Sequence, residues 1–380
     1  MSKFAAMQRL VLLSFCALAL ATRAADSRPN ILLCLADDAS WYHFGANGDK
    51  ICRTPTFDRV ALEGVNFTRA FCSSPSCTPS RGALLTGQDF WRLEDGANLW
   101  SRWPNRFAVY PDLLAKAGYH VGLKGFEIER FDRDISAMLK LLEDAGQLGN
   151  TLVVVTSWPA RAKGGRAVDD FVSLTDLAPT FLEAAGLKPL PEMTGHSLLS
   201  LLTSEKSGQV EPPRNKVFFG RERHANVRAG NLGYPIRAIR TADFLYLRNF
   251  EPDRWPAGDP PLYGDVDEHL SIAGSPSKQA VVEHEDKPVA KRLFELACGK
   301  RPAEELYDLS KDPWQMTNVA SDPRYSGSKS KLRAELDRYL TGTKDPRAAG
   351  RGAEFDRYYY LSSGAPTKRA ETAPKTHPRP

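Results

Sequence analysis

Cys77-Thr78-Pro79-Ser80-Arg81, running on through Gly82-Ala83-Leu84-Leu85-Thr86-Gly87, is the part of this 380-residue chain best equipped for chemistry. Proline suits the first turn of a helix, where its missing N–H costs nothing. Cys77 then stands at a helix mouth, where unpaired N–H groups and the helix dipole favour a bound anion. With the helix beginning near Thr78, Arg81 lies in its first turn and can lean back toward Cys77. A nucleophile beside an anion-holding arginine is one reading; a buried cysteine ahead of an ordinary capped helix is the other.

A second group stands upstream. Ile31-Leu32-Leu33-Cys34-Leu35 is a continuous apolar run, expected to be a buried parallel strand, and it ends at Ala36-Asp37-Asp38. Ligands of parallel α/β sheets gather at the carboxyl ends of strands. Asp37 and Asp38 are therefore candidate ligands for a hard cation, their oxygens suiting calcium or magnesium over zinc. Taken alone, such a pair also fits a turn or a helix cap.

The elements that must position these groups alternate. Thr56 to Gly64 reads as a helix and Val65 to Phe71 as a strand leading into the cysteine. Tyr110 to Ala117 is a helix, followed by an expected strand, Tyr119 to Leu123. A long helix from about Glu127 to Ala145 carries Ile128, Phe131, Ile135, Met138, Leu139 and Leu142 on one face. Thr151 to Val155 is a second buried strand, and Val172 to Ala185 is helical. Such alternation predicts an α/β fold, a mostly parallel sheet flanked by helices. From about Val217 strand-like segments alternate with Pro- and Gly-rich loops, Phe250 to Pro288 reads as surface excursions, and Lys331 to Leu340 is a terminal helix. The expected organisation is a signal peptide over 1–25, an α/β domain over 26–216, a smaller α+β subdomain over 217–361 and a disordered tail over 362–380.

The first 25 residues give the compartment. Lys3 and Arg9 precede an apolar run from Leu10 to Ala21 and small residues through Ala25, the layout of a secretory signal. That run is too short for a permanent membrane anchor, so export to the periplasm or medium is expected. Cleavage removes Lys3, Arg9 and Arg23 and leaves 48 basic against 46 acidic residues, a charge of +2, which gives no case for nucleic acid as a partner. Export permits disulfides among Cys34, Cys52, Cys72 and Cys298, in three possible pairings, although Cys34 fits a plain core residue. Asn66-Phe67-Thr68 fits a glycosylation acceptor and, equally, part of a strand.

Cys-x-Pro-Ser-Arg followed by x-x-x-Leu-Thr-Gly resembles the signature of the type I, formylglycine-dependent sulfatases, matched at every fixed position. Asp37-Asp38-Ala39-Ser40, Leu85-Thr86-Gly87 and Gly233-Tyr234-Pro235-Ile236-Arg237 resemble the sulfamidase-like (N-sulfoglucosamine sulfohydrolase-like) branch. Glu305 to Leu309, Asp312-Pro313 and Asn318-Val319-Ala320 resemble the C-terminal signature of bacterial sulfatases. The resemblance runs from Arg28 to about Leu361 and implies an alkaline-phosphatase-like fold. It implies that modification machinery converts Cys77 to formylglycine (3-oxoalanine), and that calcium, with magnesium less favoured, is held by Asp37, Asp38 and the residue-77 oxygen. One hydroxyl of the hydrated aldehyde attacks sulfur, the second later expels sulfate, and Arg81 stabilises the charge. Sulfated small molecules or glycans are the implied partners. Arg221, Arg223, His224, Arg228, Arg237 and Arg240 form a basic cluster suited to an anionic sugar, with His224 and Arg237 as candidate substrate contacts. A solvated basic surface fits the same residues.

Two departures stand out. The family usually places Asp-His-Gly or Asp-Asn-Gly after a strand ending Val-Thr-Ser. Here Thr156-Ser157 runs directly into Trp158-Pro159-Ala160-Arg161. Likewise Gly122-Leu123-Lys124-Gly125 runs into Phe126-Glu127, where the family carries a lysine motif and an Asp-Pro-His segment for sulfate binding and leaving-group protonation. Lys124 is a candidate remnant of that catalytic lysine, or a strand-end lysine reaching solvent. Calcium takes six to eight oxygens, and the remaining residues supply part of that set. The expectation is weak calcium binding and poor turnover. The alternatives are a non-catalytic binder of sulfated glycans and a phosphoester or phosphonate hydrolase on the same fold.

Overall fold

The computed structural model describes residues 28–36, 39–123, 131–155, 158–160, 165–265 and 276–361. The expected signal peptide, the tail, Asp37, Asp38 and Lys124 lie outside the described residues. No described helix is long and apolar enough to cross a membrane.

In the first half, strands β1 (Asn30–Cys34), β2 (Val65–Phe67), β3 (Ala70–Phe71), β4 (Thr151–Val155), β5 (Trp158–Ala160), β6 (Arg166–Val168) and β7 (Val172–Ser173) are interleaved with helices α1 (Pro55–Glu63), α2 (Cys77–Thr86), α3 (Tyr110–Lys116), α4 (Phe131–Asp144) and α5 (Leu177–Ala184). Three pairings are parallel: β1 with β4, β2 with β6 and β3 with β7. β4 is buried along its whole length, as its unbroken Thr-Leu-Val-Val-Val run requires. β1 differs from expectation. Only Cys34 is buried, because β1 pairs with β4 on one side and is an edge of the three-stranded sheet β1-β4-β5.

The core of this half joins Phe57, Val65, Phe67, Val153, Val155, Val168, Phe181 and Leu182, all within 2% of full burial. Each such side chain contributes about 1.5–3 kcal/mol. α4 presents Ile135 and Leu139 to that core. It also caps α1 from outside: the Asp132 carboxylate accepts hydrogen bonds from the N–H groups of Thr56 and Phe57 at 3.2 and 2.9 Å.

Several sequence expectations shift. Tyr119 to Leu123 forms no strand, and Leu123 is fully exposed. The long helix is described from Phe131, its first expected turn lying outside the described residues. Val172 and Ser173 belong to β7, because Ala70 and Phe71 supply a parallel partner, and a short 3₁₀ turn precedes α5. The excursion after Phe250 contains two helices, Pro276–Glu283 and Pro288–Ala297. All described cysteines are free thiols, so none of the three disulfide pairings forms among them. Asn66 lies inside β2, paired with Ala167.

The second half is an antiparallel sheet ordered β11-β10-β9-β8, from β8 (Lys216–Arg221), β9 (Ile236–Thr241), β10 (Phe244–Asn249) and β11 (Glu304–Asp308). Helix Ser326–Gly342 packs on it through Leu332, Leu336 and Leu340. The same cluster takes in Ala83, Phe90 and Trp91, so the turn after α2 is built into the second core.

Candidate active site

Cys77 opens α2. The chain reaches it through Ser76 in extended conformation (φ −161°, ψ 137°) and then coils. Cys77 is half-buried and Arg81 exposed. They stand four residues apart, one helical turn, and so share a face. The remainder of the motif is scaffold. A Cβ on Gly82 would lie 2.7 Å from the Trp103 ring and 3.0 Å from Leu93 Cδ1, so only glycine lets the helix approach this closely. The Thr86 hydroxyl donates to Gly82 O at 2.8 Å. Gly87 ends the helix at φ +67°, and its carbonyl accepts from the N–H groups of Thr194 and Gly195.

The second sheet reaches forward to the cysteine loop. Gly220 N donates to Ser73 O at 3.1 Å, Phe219 stacks near Phe71 at 6.0 Å, and Ser76 Oγ pairs with His224 Nδ1 at 2.9 Å. His224 is thereby placed against the N-cap of the cysteine helix. A histidine there can orient the cap and exchange a proton beside Cys77.

The basic cluster is neither a solvated face nor an open strip. Arg237 is wholly buried. Its guanidinium pairs with Glu222 and Asp345, each at 2.7 Å, and lies 5.0 Å from the Phe90 ring centre and 5.2 Å from that of Trp91. Arg347 closes the set with two bonds to the Glu222 carboxylate at 2.6 and 2.8 Å. The expectation that Arg237 touches substrate gives way to a structural role, since no face of it reaches solvent. Arg223 is buried too and donates to the carbonyls of Tyr358 and Tyr359, burial lowering its pKa to about 10. Its isolated Arg-Glu-Arg-His context gave no sign of these distant acceptors.

The expected metal set is covered only in part. Of Asp37, Asp38 and Cys77, only Cys77 is among the described residues. Among the described residues no three His, Cys, Asp or Glu side chains gather as a cation site. The described residues alone make no calcium cage, Asp37 and Asp38 lying outside them. At the carboxyl end of β4, Val155 is paired with Trp158 of β5. Two residues, Thr156 and Ser157, separate the two strands in the sequence.

Two family models meet on this chain: Sulfatase over residues 29–127 and N-sulphoglucosamine sulphohydrolase, C-terminal, over residues 149–297. The chain belongs to the sulfatase family. Within it, the chain is 24% identical over 441 residues to an ulvan-active sulfatase of Formosa agariphila, covering 85% of this chain and 82% of that protein. It is 27% identical to human N-sulphoglucosamine sulphohydrolase, covering 64% of this chain and 50% of that enzyme. Among solved structures, a protein in complex with its substrate D-glucosamine-2-N,6-O-disulfate superposes with TM-score 0.58 at 15% identity, covering 84% of this chain and 98% of that one. A phosphonate monoester hydrolase of Agrobacterium radiobacter superposes with TM-score 0.54 at 15% identity, covering 85% and 97%. At these identities the two structures speak for the alkaline-phosphatase-like fold alone. Family membership marks the protein as a sulfuric ester hydrolase.

Proposed function

We propose that this sulfatase hydrolyses sulfate esters or N-sulfate of a saccharide, with Cys77, converted to formylglycine (3-oxoalanine), as its nucleophile. The observation that carries this is the position of Cys77 at the mouth of α2, half-buried, with Arg81 one turn on and the Ser76–His224 pair beside it. When formed, the hydrated aldehyde supplies a hydroxyl able to attack sulfur and a second to release sulfate. The chain's own residues do the rest. The first-turn N–H groups of α2 and Arg81 gather the sulfate oxygens and offset the growing negative charge. His224 holds Ser76 and with it the entry of the helix. Gly82 and Gly87 fix α2 against Trp103 and the Thr194 segment, so residue 77 has little freedom to retreat.

Asp37 and Asp38 are proposed to hold a divalent cation, calcium rather than magnesium, and Lys124 to be what remains of the sulfate-binding lysine. The two-residue spacing of β4 and β5 supports impaired turnover, because the sequence between them carries no second ligand pair. The same feature favours, as a second reading, a sulfatase relative that binds sulfated glycans without cleaving them. Export is proposed from the N-terminal sequence. Aryl sulfate and aryl phosphate turnover, measured side by side with a Cys77→Ala control, tests the reading. Slow, Cys77-dependent release of sulfate in excess of phosphate is expected. Release of phosphate alone, or sulfate release that survives Cys77→Ala, would overturn it.

A further inference from the structure

Two further arginines of the basic cluster share few acceptors, Arg228 also donating through Nε to Trp255 O at 2.7 Å. Arg221, the half-buried last residue of β8, and Arg228, almost wholly buried, flank the ring of Tyr234 at 6.0 and 5.7 Å. Both donate to one acceptor, the Pro256 carbonyl, at 3.1 and 2.7 Å, so two guanidinium groups converge on a single neutral oxygen. Among the described residues, Asp265 is the carboxylate that pairs with them, meeting Arg228 at 2.5 Å with both side chains 2% exposed. Glu305, which acts electrostatically on Tyr234, is committed to Asn249 and Tyr307 and faces Arg301, and Asp259 accepts from Ala229 N. The group carries one positive charge in excess. It also holds buried polar atoms without partners: Arg228 Nη1, Tyr234 Oη and Asp265 Oδ1. Unmet buried donors of this kind are uncommon and call for a partner. The Arg221 guanidinium is pushed below its usual pKa by burial, opposed by Asp265 and reinforced by Arg228.

The position matters. Arg221 follows Gly220, which is bonded to the cysteine loop at Ser73, and three residues later His224 meets Ser76. Resting on the saccharide reading above, we propose that Arg221, Arg228 and the Tyr234 hydroxyl form a second oxyanion site, which takes a further sulfate or carboxylate of the saccharide presented to Cys77. The open Asp265 oxygen accepts from a neighbouring hydroxyl of the same sugar. Entry is past Arg221, the member that reaches solvent. A planar, bidentate arginine pair suits either oxyanion.

The test is calorimetric binding to the full chain. The probes are a fully sulfated heparin tetrasaccharide, its carboxyl-reduced and its partly desulfated forms, and D-glucosamine-6-O-sulfate. The readout is the preference for tetrasaccharide over monosaccharide. Arg221→Met is expected to lower that preference at least about tenfold, Tyr234→Phe about threefold, and Arg221→Lys to fall between wild type and Arg221→Met. Loss confined to the carboxyl-reduced or to the desulfated form tells which anion is bound. The proposal is overturned if the wild type shows no preference. It is equally overturned if Tyr234→Phe and Arg221→Met both leave the preference unmoved, which would mean that buried water alone meets these donors. Should Arg221→Met fail to fold, Tyr234→Phe decides. Arg221-dependent tetrasaccharide binding without any hydrolysis of sulfate would keep this site and sink the hydrolase reading, and binding of neither probe would sink both.

Discussion

The Arg237 site offers a perturbation whose size follows from the structure. Its guanidinium is fully buried, held by Glu222 through Nη2 and by Asp345 through Nε, and walled by Phe90, Trp91 and Phe355 at 5.0, 5.2 and 5.8 Å. Arg237→Met keeps much of the apolar stem and removes the charge. Glu222 retains both bonds from Arg347 and suffers little. Asp345 keeps only a backbone donor, Arg347 N at 3.0 Å, and is left as a buried carboxylate without its cation. Breaking one partner of such a pair costs about 3–5 kcal/mol, a hundred- to a few-thousand-fold change in the folding equilibrium. Urea unfolding of the two proteins measures it. Because the pair is dry, the loss should persist at high salt. Arg237→Met with Asp345→Leu removes both charges and should recover a large part of the loss. A loss below about 1 kcal/mol for the single variant, or one that vanishes in salt, would refute the reasoning and reopen Arg237 as a ligand contact.

Other predictions rest on separate features. Gly82→Ala forces a Cβ to within 2.7 Å of Trp103, and overpacking of this kind costs about 1–3 kcal/mol, read by urea unfolding. Asp89 is buried, its carboxyl pushed up to about 7 chiefly by burial, opposed by hydrogen bonds from Tyr339 and Thr194. The folded state thus binds a proton that the unfolded chain has already lost above about pH 4. Stability from this group is present below that pH and falls as the pH rises toward 7, and Asp89→Asn should flatten that slope in a pH series of unfolding midpoints. Alkylation of the native protein should label exposed Cys52 ahead of Cys34, whose thiol burial raises to about 11, with Cys34 reacting only on unfolding; peptide mapping decides. His224→Ala should lower turnover of an aryl sulfate, because it removes the ring that pairs with Ser76 at the N-cap of the cysteine helix; unchanged turnover would count against that role.

Much of this architecture could be read in the chain, for identifiable reasons. β4 was legible because five consecutive apolar or β-branched residues bounded by turns admit little else. The cysteine helix was legible because Pro79 and Gly87 mark its two ends. What stayed hidden depends on long-range pairing. Tyr119 to Leu123 has strand composition yet forms no strand, and β7 depends on β3 lying beside it. The arginines were grouped by their nearness in sequence. Their acceptors, Asp345, Glu222, Tyr358 and Asp265, are spread along the chain and sort them into a buried clamp around Arg237 and the charge-rich pair at Arg221 and Arg228. Ser76 gave no sequence signal of its histidine partner, 148 residues away.

Mass spectrometry of the peptide that carries residue 77, from protein made in its natural source and probed with an aldehyde-reactive hydrazide, tests the central claim most directly. The account predicts an aldehyde at position 77 and its disappearance in Cys77→Ala. A peptide that carries only the unmodified thiol would contradict it.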